Sequence, residues 1–163
     1  MIKTCASLLF FLLLITTHLH AIELKGRVTW IDDGDTLKVE NIGKVRLIGI
    51  DTPEYKASKR DNYYHKNFAI NADKLRTISR QSKTFNIKNA KGKRVRLVTG
   101  KQERDKHGRL LAYLYLPNGE MLNRLLLKKG LATVFRRYDF RYKKEFLKLE
   151  QKARQKKRGL WSQ

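Results

Sequence analysis

The sequence contains almost no cysteine: among 163 residues the only one is Cys5, close to the N-terminus. Disulfide bonds and thiol chemistry are therefore excluded from the rest of the chain, whose stability must come from packing. Histidine is also scarce. Neither His65 nor His107 has a partner histidine or cysteine at ligand spacing, which argues against a zinc site. Proline is limited to two residues and no Pro- or Ser-rich linker divides the chain, so we expect one domain.

Acidic residues are few relative to basic ones. The chain has 15 Asp and Glu against 37 Lys and Arg, which gives a formal net charge of +22. Such an excess repels itself and favours a polyanionic partner, most commonly duplex nucleic acid with one negative charge per roughly 1.7 Å. From charge alone, a ribosome-like basic protein and a membrane-surface binder remain alternatives. The composition, 41% hydrophobic and 32% charged, is that of a globular chain.

Long apolar runs are absent apart from residues 8–15, which follow the positively charged Lys3. This run is too short to span a bilayer comfortably, and Ala21 stands at a plausible cleavage point. Residues 1–21 are therefore predicted to be a signal peptide, which implies export to a periplasm or secretion. Leu19 is bulky for its place before that cleavage point, so the predicted position holds to within a few residues. Residues 22–163 form the predicted mature domain.

The apolar pattern predicts short strands in the first two thirds of the chain and helices around them. Residues 94–97 alternate with period two, and apolar runs cover residues 45–50 and 110–116. Helical spacing occurs three times, in residues 68–78, 122–126 and 142–153. This order favours a small barrel with helices packed at one end. An OB-like barrel, a fold that commonly binds oligonucleotides, is the natural candidate.

Three short charged segments carry the chemistry: residues 32–36, residues 46–54 and residues 105–109. Clustered carboxylates repel one another, and a cation is the simplest means of holding them together. Oxygen ligands favour a hard cation such as Ca²⁺ or Mg²⁺. Each segment taken singly reads as an ordinary turn. Their occurrence together, with two arginines in a strongly basic chain, favours a metal-assisted site.

The same three segments, in the same order, resemble the signature segments of the staphylococcal (thermonuclease-type) nuclease family. The resemblance continues through residues 111–113, Asn123 and residues 130–132, and it ends at residues 159–162. It implies an α+β, mainly β fold: a five-stranded OB-type barrel with three helices. It also implies a monomer, with no stable protein partner, that uses one Ca²⁺ site to hydrolyse DNA and RNA and leaves 3′-phosphate ends.

The resemblance also implies roles for four acidic-segment residues. By position, Asp35 and Asp51 would bind Ca²⁺ through their carboxylates, and Thr52 through its backbone carbonyl. Glu54 falls where the family places the residue that activates or orients the attacking water. Such a residue needs only to lie within one hydrogen bond of a water beside the metal.

Arg46 and Arg109 fall on the two family positions that bind the scissile phosphate. Phosphodiester hydrolysis builds negative charge on the phosphate oxygens, and guanidinium groups match those oxygens in a bidentate geometry. Lys106 is a further candidate for a substrate phosphate.

Three more residues are candidates for substrate binding, and two of them depart from the family pattern. His107 lies where a nucleotide-contacting tyrosine is expected, and Arg136 replaces another aromatic residue. Tyr138 retains a third aromatic position. Exchanging aromatic residues for basic ones favours backbone contact over base stacking.

The competing hypothesis is a non-catalytic, basic OB-fold module that only binds nucleic acid. A basic structural or surface-adhesion protein is a third. Related domains that only bind have lost their acidic and arginine residues, whereas this chain retains all five: Asp35, Arg46, Asp51, Glu54 and Arg109. Dependence of turnover on Ca²⁺ separates the three hypotheses.

Overall fold

The computed structural model describes residues 22–162, so the predicted signal peptide lies outside the described residues. Five strands build the main sheet: β1 (Glu23–Ile31), β2 (Thr36–Val39), β3 (Gly43–Leu47), β5 (Arg94–Arg104) and β6 (Leu110–Tyr115). They close into a barrel in the order β1-β2-β3-β6-β5. Two short strands, β4 (Ile50–Asp51) and β7 (Thr133–Val134), pair beside it. The predicted mainly β fold with a five-stranded OB-type barrel is confirmed.

Side chains along each barrel strand point alternately into the barrel and away from it. On β3, Val45 and Leu47 are buried, so Arg46 between them faces away from the barrel interior. β3 runs parallel to β6, with Val45 opposite Leu110 and Arg46 opposite Leu111. All the other pairs of neighbouring barrel strands are antiparallel. The start of β6 therefore lies next to Arg46 on the outside of the barrel.

Four α-helices accompany the barrel: α1 (Lys59–Phe68), α2 (Ala72–Asn89), α3 (Leu122–Lys128) and α4 (Lys143–Gln155). A 3₁₀ turn, Gly159–Trp161, follows α4. The predicted number of three helices was wrong, because the apolar spacing of residues 68–78 extends across two helices. Within residues 22–162, no helix is both long and apolar enough to cross a bilayer.

Capping interactions, rather than a change in the apolar pattern, separate α1 from α2. Ala69 takes a left-handed conformation with φ 55°, and its N–H donates to the carbonyl of His65. Asn71 then caps α2, since its side-chain oxygen accepts the N–H of Lys74 at 2.9 Å. Phe68 and Leu75 pack against the same core, so their spacing alone did not reveal the break.

Asn123 on α3 links β6 to the β3–β4 connection through hydrogen bonds to the backbone of both. This fully buried residue accepts the N–H of Leu114 at 3.1 Å and donates to the carbonyl of Ile48 at 2.9 Å. Both partners are backbone groups that require a hydrogen bond when they are buried. One side chain therefore holds β6 and residue 48 in a fixed relation.

We predict that Asn123→Ala lowers the free energy of unfolding by about 2 kcal/mol, because two buried backbone groups lose their partner. Urea unfolding followed by tryptophan fluorescence measures the change. Asn67→Ala is the matched control, since Asn67 is exposed and bonds only to the carbonyl of Tyr63 in its own helix. Equal stability of the two variants would contradict the role given to Asn123.

Candidate active site

The first part of the site is the acidic turn between β1 and β2. Asp33 accepts the backbone N–H groups of Asp35 and Thr36 through one carboxylate oxygen, at 2.9 and 2.7 Å. These bonds fix the turn and direct the neighbouring Asp35, whose side chain is buried at 2% exposure. Burial raises the pKa of Asp33 even though these hydrogen bonds and the charges of Arg46 and Arg109 oppose the shift.

Helix α2 holds this turn from behind. Asn86 donates to the carbonyl of Gly34 at 2.8 Å, and Lys83 donates to the carbonyl of Asp32 at 3.0 Å. A Cβ at Gly34 would lie 2.7 Å from the side chain of Thr52, so only glycine allows this approach. Packing of α2 thereby sets the distance between the acidic turn and residue 52.

The second part of the site is the turn from β3 into β4. Gly49 has φ +77°, and a Cβ there would also meet the ring of Phe140 at 2.5 Å. This turn brings the buried Asp51 beside the acidic turn. Thr52 donates to the second oxygen of Asp35 through both its N–H, at 2.8 Å, and its hydroxyl, at 3.0 Å.

Arg46 bridges the two buried carboxylates. One of its guanidinium nitrogens donates to Asp35 and the other donates to Asp51 at 3.0 Å. On the far side of Asp51, Arg60 of α1 donates to the remaining carboxylate oxygen through Nε at 2.8 Å and Nη2 at 2.6 Å. Sequence reasoning identified Arg46. It expected residues 55–60, which closely follow Glu54, to border the substrate groove, but it gave Arg60 no role of its own.

Arg109 completes the arrangement from the start of β6. Its guanidinium pairs with Asp105 at 2.7 Å, and a second nitrogen lies 3.4 Å from the hydroxyl of Thr36. That hydroxyl lies 3.1 Å from Asp35, to which it donates. We call this chain of contacts the guanidinium row: Arg109, Thr36, Asp35, Arg46, Asp51 and Arg60.

The turn of residues 105–109 is built around Asp105. Partial burial opposes ionisation of this carboxyl, but hydrogen bonds from the side chain and N–H of Arg109 and from the N–H of His107 lower its pKa. Asp105 therefore stays charged and orients Arg109. Lys106 and His107 are exposed at the tip of the same turn, beside Arg109.

Tyr64 of α1 is a second residue that sequence reasoning missed. It is fully buried, and its hydroxyl donates to Asp51 at 2.9 Å. Burial, followed by the charge of Asp51, raises the pKa of Tyr64 well above its usual value, so the phenol stays protonated as a donor. Its membership of the site depends on where α1 packs, which no local pattern indicated.

Glu54 is exposed at the edge of the row. Partial burial, then the negative charges of Asp33 and Asp51, raise the pKa of its carboxyl, while Arg46 and Arg60 oppose the shift. A carboxylate with a raised pKa is a better proton acceptor. The structure thus places Glu54 within electrostatic reach of the candidate metal ligand Asp51 and of Arg46.

Arg136 and Tyr138 lie outside the row. Arg136 pairs with Glu150, a residue of α4 that is 2% exposed, and its guanidinium lies 5.7 Å from the ring of Phe68. Tyr138 is 60% exposed, and its ring lies 5.7 Å from that of Phe135. The guanidinium of Arg137 lies over the Tyr138 ring at 5.4 Å. Tyr138 is therefore an exposed aromatic residue with a basic neighbour, whereas Arg136 forms an ion pair with a buried residue of α4.

Comparison with known proteins gives the family. The family model described as staphylococcal nuclease homologue matches residues 44–163. The thermonuclease of Staphylococcus hyicus is 32% identical over 147 residues, which cover 88% of this chain and 79% of that protein. The chain belongs to the staphylococcal nuclease family. The resemblance predicted from the three charged segments is confirmed.

Other relatives cover most of the same region. The uncharacterized protein MJ1439 of Methanocaldococcus jannaschii is 37% identical over 159 residues, 91% of this chain and 75% of that protein. An uncharacterized endonuclease of Escherichia coli is 32% identical over 143 residues, 86% of this chain and 78% of that protein. The staphylococcal nuclease match begins after Asp35, which joins the site through its contacts with Arg46 and Thr52.

The donor set of the row fits a hard divalent cation. Four carboxylates, those of Asp33, Asp35, Asp51 and Glu54, surround only two guanidinium groups free of other acidic partners, those of Arg46 and Arg60. Carboxylates thus outnumber these guanidinium groups, and carboxylate oxygens are the ligands that such a cation prefers. Among residues 22–162, no three His, Cys, Asp or Glu side chains form a metal cluster on their own. A cation would therefore need backbone oxygen and water as well.

We predict that Glu54→Gln raises the melting temperature of the metal-free protein at pH 7, by about 2 °C. A carboxyl whose folded-state pKa is raised destabilises the fold as pH increases through that pKa. The gain should therefore become much smaller towards pH 4, below the usual pKa of glutamate, where Glu54 becomes mostly protonated in both states. Thermal unfolding at several pH values measures the effect.

Glu103→Gln, which removes an exposed carboxylate from β5, is the control for a simple change of net charge. An equal gain at pH 4 and pH 7 for Glu54→Gln would show that the charge of Glu54 is not disfavoured in the folded site.

Proposed function

We propose that this chain is an exported, Ca²⁺-dependent nuclease that hydrolyses DNA and RNA with little sequence specificity. Membership of the staphylococcal nuclease family makes the chain a phosphodiester-hydrolysing nuclease. The observation that carries the proposal is the bridge that Arg46 forms between two buried carboxylates, Asp35 and Asp51. The predicted signal peptide supports export, and the charge of +22 supports a nucleic-acid substrate.

The arginines supply stabilisation of the charge that develops on phosphate. Arg46 lies on β3, and Arg109 immediately precedes β6, the strand that pairs in parallel with β3. The two arginines are joined through Thr36 and Asp35. Asp105 and the row hold both side chains before substrate arrives, so little reorganisation is needed. A phosphodiester bound between them would place its non-bridging oxygens against two fixed guanidinium groups.

Glu54 would accept a proton from the attacking water. The water oxygen forms a bond to phosphorus, the bond from phosphorus to the 5′ oxygen breaks, and the departing oxygen takes a proton from solvent. The products are a 3′-phosphate end and a 5′-hydroxyl end. The raised pKa of Glu54 favours this proton acceptance.

Asp35, Asp51 and the backbone carbonyl of Thr52 would hold the Ca²⁺ ion. When bound, the ion supplies Lewis-acid stabilisation of the phosphate and promotes ionisation of a neighbouring water. The same carboxylates are held by Arg46 and Thr52, so their orientation is set independently of the ion. The predicted monomer without a stable protein partner is part of the proposal.

The test is hydrolysis of DNA and RNA by the mature chain, starting at residue 22, with Ca²⁺ and then with EGTA. We expect cutting that requires Ca²⁺ and leaves 3′-phosphate ends. Glu54→Gln and Arg109→Ala should each reduce kcat by about a hundredfold or more, as loss of one preorganised charge-stabilising group does. End-labelled substrates identify the product termini.

Arg94→Ala is the matched control for Arg109→Ala, because Arg94 is an exposed arginine at the start of β5. It should retain activity. Binding without cutting, unaffected by EGTA, would instead support the non-catalytic nucleic-acid-binding module.

We also predict that oligonucleotide binding weakens steeply with salt, with a slope of log K against log salt of roughly −3 or steeper, about −0.7 to −0.9 per phosphate contacted. The reason is that His107 and Arg136 stand where base-stacking aromatic residues are expected. Fluorescence anisotropy in EGTA, with two unrelated sequences, measures the slope. Binding that hardly changes with salt, or that differs strongly between the sequences, would contradict this.

A further inference from the structure

Arg60 occupies one end of the guanidinium row and has no role in the proposed function so far. Its Nε and Nη2 atoms lie 2.8 and 2.6 Å from the same oxygen of Asp51. Arg109 lies at the other end, with Arg46 between them. The row thus presents three guanidinium groups on one side of the barrel.

Asp51 does not depend on Arg60 for its position. Its backbone pairs with Thr133 in the β4–β7 ladder, and its carboxylate accepts the hydroxyl of the fully buried Tyr64 at 2.9 Å. Arg46 holds its other oxygen at 3.0 Å. The contact with Arg60 therefore adds charge compensation to a carboxylate that other groups already orient.

Arg60 is also the most accessible member of this part of the row. Its side chain is 36% exposed, against 19% for Arg46 and 7% for Asp51. The guanidinium lies 5.4 Å from the ring of Tyr63 and 5.6 Å from the ring of Phe135. Two aromatic rings thus support the guanidinium at the rim and leave it room to turn towards solvent.

The backbone beneath Arg60 is fixed. Ser58 caps α1 by accepting the N–H of Arg60 at 3.2 Å, and Asp61 pairs with Arg76 of α2 at 2.6 Å. A change of partner at Arg60 therefore requires only rotation of its own side chain. Because an arginine fork matches phosphate as well as carboxylate, either anion can serve as its partner.

We propose that Arg60 is a third phosphate-binding residue, which exchanges Asp51 for a backbone phosphate next to the scissile one when the nucleic-acid strand binds. The proposal rests on the proposed nuclease function. Arg60 and Arg109 lie at opposite ends of the row. Arg60 would therefore bind a different phosphate from the one that lies between Arg46 and Arg109. Since Arg60 and a divalent cation draw on the same carboxylate, Arg60 also weakens cation binding in the absence of substrate.

The test compares Arg60→Gln with the unmodified chain in two measurements. Calorimetric titration with Ca²⁺ alone should show binding that is about three- to tenfold tighter in the variant, because a neighbouring positive charge is gone. Oligonucleotide hydrolysis should show KM raised about tenfold, the size of one charge-assisted hydrogen bond, with kcat changed by less than about threefold. Arg60→Lys should recover most of the KM.

Arg96→Gln is the matched control. Arg96 on β5 is 38% exposed, pairs with Glu23 at 3.1 Å and lies over the ring of Tyr115 at 4.0 Å, so it loses the same charge and the same kinds of contact. It should leave Ca²⁺ affinity and KM within about twofold of the unmodified chain, because charges beyond a Debye length of ~8–10 Å are screened.

Tyr64→Phe removes a residue that orients Asp51. We expect it to weaken Ca²⁺ binding and lower kcat, which is the opposite of the pattern expected for Arg60→Gln. If Arg60→Gln behaved like Tyr64→Phe, with weaker Ca²⁺ binding and unchanged KM, Arg60 would be an orienting residue and the proposal would be overturned.

Oligonucleotide affinity is measured separately in the Glu54→Gln background in the presence of Ca²⁺, where binding is read without cutting. An inactive unmodified chain would reject the nuclease function, while this binding comparison would still decide whether Arg60 holds a phosphate. Equal affinity with and without Arg60→Gln would overturn the proposal.

Discussion

The bridge from Arg46 to two buried carboxylates is the interaction on which the rest of the site depends. Asp35 and Asp51 come from different turns, and each would be costly to bury as an uncompensated charge. The guanidinium between them offsets that cost and fixes how far apart they lie. The glycine turns, Asn86 of α2 and the hydroxyl of Thr52 all serve to bring these carboxylates to one arginine.

Acidic residues are concentrated in the site although the molecule around it is strongly basic. The chain carries +22, yet the row and its neighbours hold more carboxylates than free guanidinium groups. A polyanion is attracted by the whole surface but would meet these carboxylates at the site itself. The proposed divalent cation, together with the arginines of the row, would resolve that conflict and give such a basic protein a reason to concentrate acidic residues in one place.

Local sequence patterns predicted much of this structure. Alternation and turn residues indicated the barrel strands. The family resemblance of the three charged segments indicated Asp35, Arg46, Asp51, Glu54 and Arg109, which the fold brings together. These features are local because a strand or a turn is specified by adjacent residues. The roles of the site residues remain predictions until the variants are measured.

Contacts between side chains of different elements were not predictable from local patterns in the same way. Arg60 and Tyr64 reach Asp51 only because the fold sets α1 beside it, and no apolar spacing encodes that. Arg136 stays a predicted substrate residue, but its ion pair with the buried Glu150 of α4 was not apparent from the sequence. Arginines are numerous in this sequence, so residue type alone does not reveal which anion each one meets.

Because β3 pairs with β6 in parallel, strand register sets the distance between Arg46 and Arg109, whatever the length of the segment that connects them. Arg46 and the residue preceding β6, Arg109, are neighbours through strand register, although two helices and a long strand connect them in sequence. The number of residues in that connection therefore does not set the distance between the two arginines. The connection instead carries Asp51 and the helix residues that hold both carboxylate-bearing turns. Its folding thus decides whether the carboxylates meet an arginine pair that strand register has already placed.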